Sequence, residues 1–184
     1  LKKTAALALA AALMATPVMA QSILGGDAPI IAATKRGDYD RLRSLLLKGG
    51  NANTTNANGE TALILAAKDE DAATMELLLQ HGAKVNWQDK LGNTALTYTI
   101  SKYSYGMVEF LLQQGASPNI QNANGQTPLM VAAELGDAEI VQMLMDNNPD
   151  FSLRDYTGRG VLDYARVSRN PGIEQVLRRG GATD

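Results

Sequence analysis

The string NANGETALILAA, Asn56 to Ala67, returns as NANGQTPLMVAA, Asn122 to Ala133, 66 residues later in a chain of 184. Half of that distance is a period that the whole sequence keeps. Stepping by 33 gives Leu45, Leu78, Leu111, Leu144 and Leu177; a second series reads Ile30, Leu63, Leu96, Leu129 and Leu162; a third reads Ala33, Ala66, Thr99, Ala132 and Ala165. A chain that repeats at this interval without insertion or deletion is restricted to stacked units, because one such unit cannot bury its apolar face alone. Five repeats are expected, at residues 28–60, 61–93, 94–126, 127–159 and 160–184.

The residues between the apolar columns act as punctuation. Asp38, Asp71, Ser104, Asp137 and Asn170 share a column, and each can cap a helix N-terminus by accepting from a free backbone N–H. Pro171 is expected at the first helical position, where its missing N–H costs nothing. Further on stand Gly49, Gly82, Gly115, Asn148 and Gly181, residues that tolerate the left-handed conformation ending a helix. Thr61, Thr94 and Thr127 form a second capping column. Each repeat therefore reads as two short helices followed by a turn-rich stretch such as NTTNANG or NIQNANG.

The segments GQTPLMVAAELGDAEIVQMLMDNN (Gly125 to Asn148) and TALILAAKDEDAATMELLLQHGAKVN (Thr61 to Asn86) resemble the ankyrin repeat, with its T-P-L-H-x-A-A opening and L-L-x-x-G-A-x-V-N close. The resemblance runs from about Ala28 onward. It implies an all-α repeat solenoid of helix-turn-helix units with β-hairpin fingers as the second arm of an L, and a concave surface that binds another protein. The end repeats read as caps: Arg41 is polar where Ile140 and Ile173 are apolar, and Asp163, Arg166, Glu174 and Arg178 replace Met130, Ala133, Val141 and Met145.

The first twenty residues follow a different plan. Lys2 and Lys3 precede an apolar run to Met14, then Pro17 and Val18-Met19-Ala20, the layout of a secretory signal peptide cut after Ala20. The run is shorter than the ~20 apolar residues that span a bilayer. Residues 21–27 read as a short linker. Leu1 is expected to be a literal reading of a bacterial non-ATG start codon, which would point to a bacterium and hence to the periplasm. There is no cysteine, so packing rather than disulfides must hold the fold. The mature chain carries a small acidic excess, which does not suggest nucleic-acid binding. That excess is concentrated in Thr61–Asp150, with four basic and eleven acidic residues, between two mildly basic ends.

Catalytic and metal chemistry finds little support. His81 is the sole histidine and stands in an exposed column, so no nucleophile has a natural base, and no His/Cys set exists for zinc or haem. TTNANG lacks the acids a calcium loop needs. No cofactor is expected. Asp69 and Glu70 could act as paired acid and base in a hydrolase, but they fall in an acidic interhelical turn beside the cap Asp71. Met75, Met107, Met143 and Met145 read as core filling, and Trp87 as packing between fingers.

Carried over from the family, the partner surface comprises finger positions and the ends of the first helices. The candidates are Lys68, Asp69, Lys90, Leu91, Asn93, Lys102, Tyr103, Glu134, Tyr156 and Arg159. Tyr103 takes the place that Gly37 and Gly136 hold in other repeats, a turn where a side chain lacks glycine's backbone freedom. It is the expected aromatic anchor, while Tyr98 and Tyr105 are expected to fill gaps between repeats. The leading expectation is a monomeric, non-enzymatic, periplasmic scaffold binding another exported protein. It resembles small exported ankyrin proteins of proteobacteria, some of which support periplasmic enzymes in oxidative stress. The rivals are an immunity or inhibitor protein against a toxin or hydrolase, a hydrolase using Asp69 and Glu70, and a self-associating stack.

Overall fold

The computed structural model describes residues 27–168 and 170–184; the expected signal peptide and all of the linker except Asp27 lie outside them. Ten helices occur among these residues: α1 Pro29–Lys35, α2 Tyr39–Leu47, α3 Ala62–Lys68, α4 Ala72–Gln80, α5 Ala95–Ser101, α6 Tyr105–Gln113, α7 Pro128–Leu135, α8 Ala138–Met145, α9 Val161–Val167 and α10 Gly172–Arg179. Each odd-numbered helix packs on the even one that follows it. The odd helices then stack in one row, α1 on α3 on α5 on α7 on α9, with the even helices as a second row beside them. None is long and apolar enough to cross a membrane.

The helix boundaries follow the caps in most repeats. Thr61, Thr94 and Thr127 accept from the backbone N–H three residues on, as do Asp38, Asp71 and Asp137. Two expected caps behave differently. Ser104 makes no side-chain capping bond; its side chain is turned to the preceding repeat, where the hydroxyl donates to Glu70 Oε2 at 2.8 Å. Asn170 Oδ1 accepts from the Gly172 N–H at 3.0 Å, and α10 begins at Gly172, so Pro171 sits just outside the helix rather than at its first position.

The leucine columns form the core. Leu63, Leu96, Leu129 and Leu162 are buried between the rows, as are Leu78, Leu111, Leu144 and Leu177. Thr99, standing where other repeats have alanine, is fully buried and donates its hydroxyl to Leu96 O at 2.9 Å. Met75 is fully buried, while Met107, Met143 and Met145 pack at the core's edge. At the end of the last pair the substituted polar residues form an ion-pair mesh in which Arg166 reaches Asp163, Glu174 and Asp184, and Arg178 reaches Glu174 and Asp184.

The fingers are tighter than the hairpins expected of them. Each closes on one backbone rung: Asn56 N–H to Glu60 O, Asp89 N–H to Asn93 O, Asn122 N–H to Gln126 O, and Asp155 N–H to Arg159 O. With so short a paired length, the described residues contain one isolated bridge, Thr55 to Thr61, and no strand. Neighbouring fingers are joined tip to tip, the N–H groups of Lys90, Ala123 and Tyr156 donating to the carbonyls of Asn58, Leu91 and Asn124. This stacking demands glycine at Gly92 and Gly125. Both have positive φ, and a Cβ there would come within 2.6 Å of the next finger's backbone.

A second bracket joins the repeats at the base of the fingers. The Asn53 amide donates to Gly82 O and accepts from the Lys84 N–H; Asn86 does the same to Gly115 and Ser117, and Asn119 to Asn148 and Asp150. Only a side chain that both donates and accepts can bridge the pair of backbone groups.

Leu111→Ala should lower the unfolding free energy by ~2–5 kcal/mol through the cavity it leaves. Denaturant titration measures this, and a loss below about half a kilocalorie would contradict the packing.

Candidate functional site

The angle between the fingers and the first-helix row holds a line of polar side chains. It is built from one repeated local device. In each finger the first turn residue accepts two backbone N–H groups on its Oδ1: Asn56 from Asn58 and Glu60, Asp89 from Leu91 and Asn93, Asn122 from Asn124 and Gln126, Asp155 from Thr157 and Arg159. The second side-chain atom then sets what can stand nine residues on. Asp89 and Asp155 have a free acceptor, and Tyr98 and Tyr164 donate to it at 2.6 and 2.5 Å. Asn56 and Asn122 present an N–H2 instead and donate it to Glu60 and Gln126, with Leu65 and Val131 in the tyrosine position.

Adjacent devices are linked. Lys68 Nζ lies 2.6 Å from Glu60 Oε1 and 5.0 Å from the Tyr98 ring centroid, an ion pair with a cation–π contact. Asn122 also donates to Asn93 Oδ1 at 3.3 Å. Arg159 pairs with Asp155 at 2.9 Å and stands over the Tyr164 ring at 4.7 Å. Burial would push the Glu60 carboxyl up, but hydrogen bonds from Asn56 and Lys68 outweigh it and hold the group below its usual range. The bond to Glu60 raises Lys68. Burial likewise opposes ionisation of Asp155, yet bonds from Tyr164, Thr157 and the Arg159 backbone keep it far below the carboxylate range. Burial first, then donation to Asp89 and Asp155, raises the Tyr98 and Tyr164 phenols.

The ten candidates thus fall into two groups. Lys68, Asn93 and Arg159 are engaged in the polar line. Asp69, Lys90, Leu91, Lys102, Tyr103, Glu134 and Tyr156 are exposed, at the finger tips or at the turn ending a first helix, and none of their charges has an ion pair among the described residues. Tyr103 is 45% exposed with φ +58°, so the turn that glycine serves in other repeats is left-handed here too. Glu70 is strained in the same way at φ +58° and turns its carboxylate to Ser104. Asp69 beside it is exposed, so the pair considered for hydrolysis lies on an open turn.

Several residues of the polar line escaped the reading of the sequence. Tyr98, expected as gap filling, is hydrogen-bonded to Asp89; Tyr105 is 39% exposed and donates to Asp137 Oδ2 at 2.7 Å. The signal was present as pairing: Asp precedes Tyr by nine residues twice, and Asn precedes an aliphatic residue by nine twice. His81 proves half-buried at the end of α4 rather than exposed. No group of three or more His, Cys, Asp or Glu residues that could hold a metal occurs among the described residues.

The family model described as ankyrin repeats (3 copies) matches residues 30–122 and 102–182, which together run from the second residue of α1 past the end of α10. The chain belongs to the ankyrin-repeat family, whose repeats form protein–protein interaction modules and are generally binding scaffolds rather than enzymes. None of the curated proteins matches it.

Two measurements bear on this geometry. Asp155 has a depressed folded pKa, so its contribution to stability is complete above the unfolded value of about 4 and is lost as pH falls toward the folded one. The melting temperature of Asp155→Asn should lie below the parent's at neutral pH, with the gap closing in acid; a constant gap would contradict the assignment. Tyr103→Gly should raise the unfolding free energy by about 0.5–1 kcal/mol by relieving the left-handed backbone, as read by denaturant titration.

Proposed function

We propose that this protein is an exported, periplasmic scaffold of five ankyrin repeats that acts as a monomer and without catalysis. It binds another exported protein along the finger side, and the partner is a stress-related enzyme that it supports. The observation that carries the binding reading is the contrast within the finger side. The polar line is internally satisfied and fixes the surface, while Leu91, Tyr103 and Tyr156 stand 62%, 45% and 74% exposed with Lys90, Lys102, Asp69 and Glu134 among them. Exposed aromatic and aliphatic tips on a rigid frame lose little side-chain entropy on docking, which favours their use as anchors. The strain at Tyr103 points the same way, since a stack alone is better served by glycine there. The lysine-led apolar stretch from Lys2 to Met14, followed by small residues at Ala20, supports export.

Affinity capture from periplasmic extract tests this, with Gln21–Asp184 as bait beside a Lys102→Glu, Tyr103→Ala double variant. A protein retained by the first and lost by the second supports the reading, and its identity tests the enzyme-support role. Retention by both would move the site away from the third repeat. Failure of both to retain a protein would count against the scaffold reading itself.

A further inference from the structure

Away from the fingers, the second helices form a row whose middle members carry no cation. α4 reads AATMELLLQ, α6 YGMVEFLLQ and α8 AEIVQMLM, and their exposed charges are Glu76, Glu109 and Glu139. The row is not evenly closed. α6 packs on α8 and α8 on α10 more closely than α2 on α4, and the backbones of α4 and α6 approach least of all. Between them lies a groove of about 520 Å³ lined by Ala72, Glu76, Tyr105, Gly106, Met107 and Phe110, with Ser104 alongside. Met107 is half-buried here, whereas Ile140 and Ile173, its equivalents in the next two repeats, are fully buried.

The groove's polar atoms are tied into the fold. Ser104 donates to Glu70 and Tyr105 to Asp137, so the walls are held in place and the surface left for a ligand is mainly apolar. Gly106 adds an independent sign. It is the second residue of α6, its backbone is not left-handed, and a Cβ there would meet nothing within 4 Å. Neither conformation nor crowding asks for glycine at this position; its effect is to keep the groove open.

We propose that this groove binds a cationic amphipathic segment of a partner protein. Large apolar side chains of that segment seat against Tyr105, Met107 and Phe110, and flanking lysines or arginines pair with Glu76 and Glu109. The basic character of the occupant follows from complementarity, because α4, α6 and α8 offer carboxylates alone as charges. The site is carried by the opposite helix row from the finger surface and does not depend on it.

Fluorescence anisotropy with the full chain tests this, using a short labelled peptide of leucine and lysine at amphipathic helical spacing. Two control peptides carry glutamate for lysine or serine for leucine. The leucine–lysine peptide should bind saturably, and each control at least about tenfold more weakly. Gly106→Leu, which fills the groove at an uncrowded helical position, and Glu76→Lys, at an exposed one, should each weaken it about tenfold or more, with the melting temperature maintained. Lys102→Glu, Tyr103→Ala should leave this binding unchanged, which keeps the test apart from that of the finger side. Undiminished binding to Gly106→Leu would show that charge alone attracts the peptide and would overturn the site, as would equal binding of the three peptides or no binding at all.

Discussion

Every helix pair in this chain has an apolar face that nothing covers until the next pair is laid upon it. The leucines at 63, 96, 129 and 162, and those at 78, 111, 144 and 177, are buried by that act of stacking. With no cysteine in the sequence, no covalent link shares the task. Stability in such a stack is close to a sum of unit and neighbour terms, so the pitch from one pair to the next must stay constant. The asparagine brackets and the finger rungs measure that pitch at two distances from the core. The strict period in the sequence is the imprint of this requirement, since an inserted residue would break both at once.

Much of the fold was legible because its signals are local. Thr61, Thr94 and Thr127 cap helices by reaching three residues along their own chain, and the left-handed residues at 49, 82, 115, 148 and 181 depend on their own backbone alone. The failures are places where a distant partner competes. Ser104 would cap α6 by local preference, but its side chain is turned to the preceding repeat, where its hydroxyl donates to a carboxylate. Tyr98 and Tyr105 were expected to fill space, and a phenol's packing can be guessed from a column while its hydroxyl's partner cannot. The candidate surface was legible by position, and the division between exposed tips and internally braced groups was not. Lys68 and Arg159 have the same formal charge as Lys90 and Lys102, and only the placement of Glu60 and Asp155 separates them.

The two surfaces of interest depart from the repeat in opposite ways. On the finger side, Tyr103 adds a side chain where the backbone prefers none. On the other row, Gly106 omits a side chain where the helix would tolerate one. Both lie in the third repeat, within four residues of each other, and both are departures that stacking does not explain. A repeat protein can vary at such places cheaply because each unit answers only to its neighbours.

The asparagine column has a fourth member that does not continue it. At residue 152 the chain has serine, whose N–H and hydroxyl both turn back onto Asp150. Among the described residues, the joint between the fourth and fifth helix pairs therefore has no asparagine bracket at the finger base and no tip-to-tip finger rung. It relies on apolar contact, on the Tyr164–Asp155 anchor and on the Asn170 amide, which donates to Gly136 O at 3.1 Å. Thermal breathing should accordingly begin at this joint: α9 and α10 lift away as a unit and exchange their backbone hydrogens with solvent while the inner pairs remain closed.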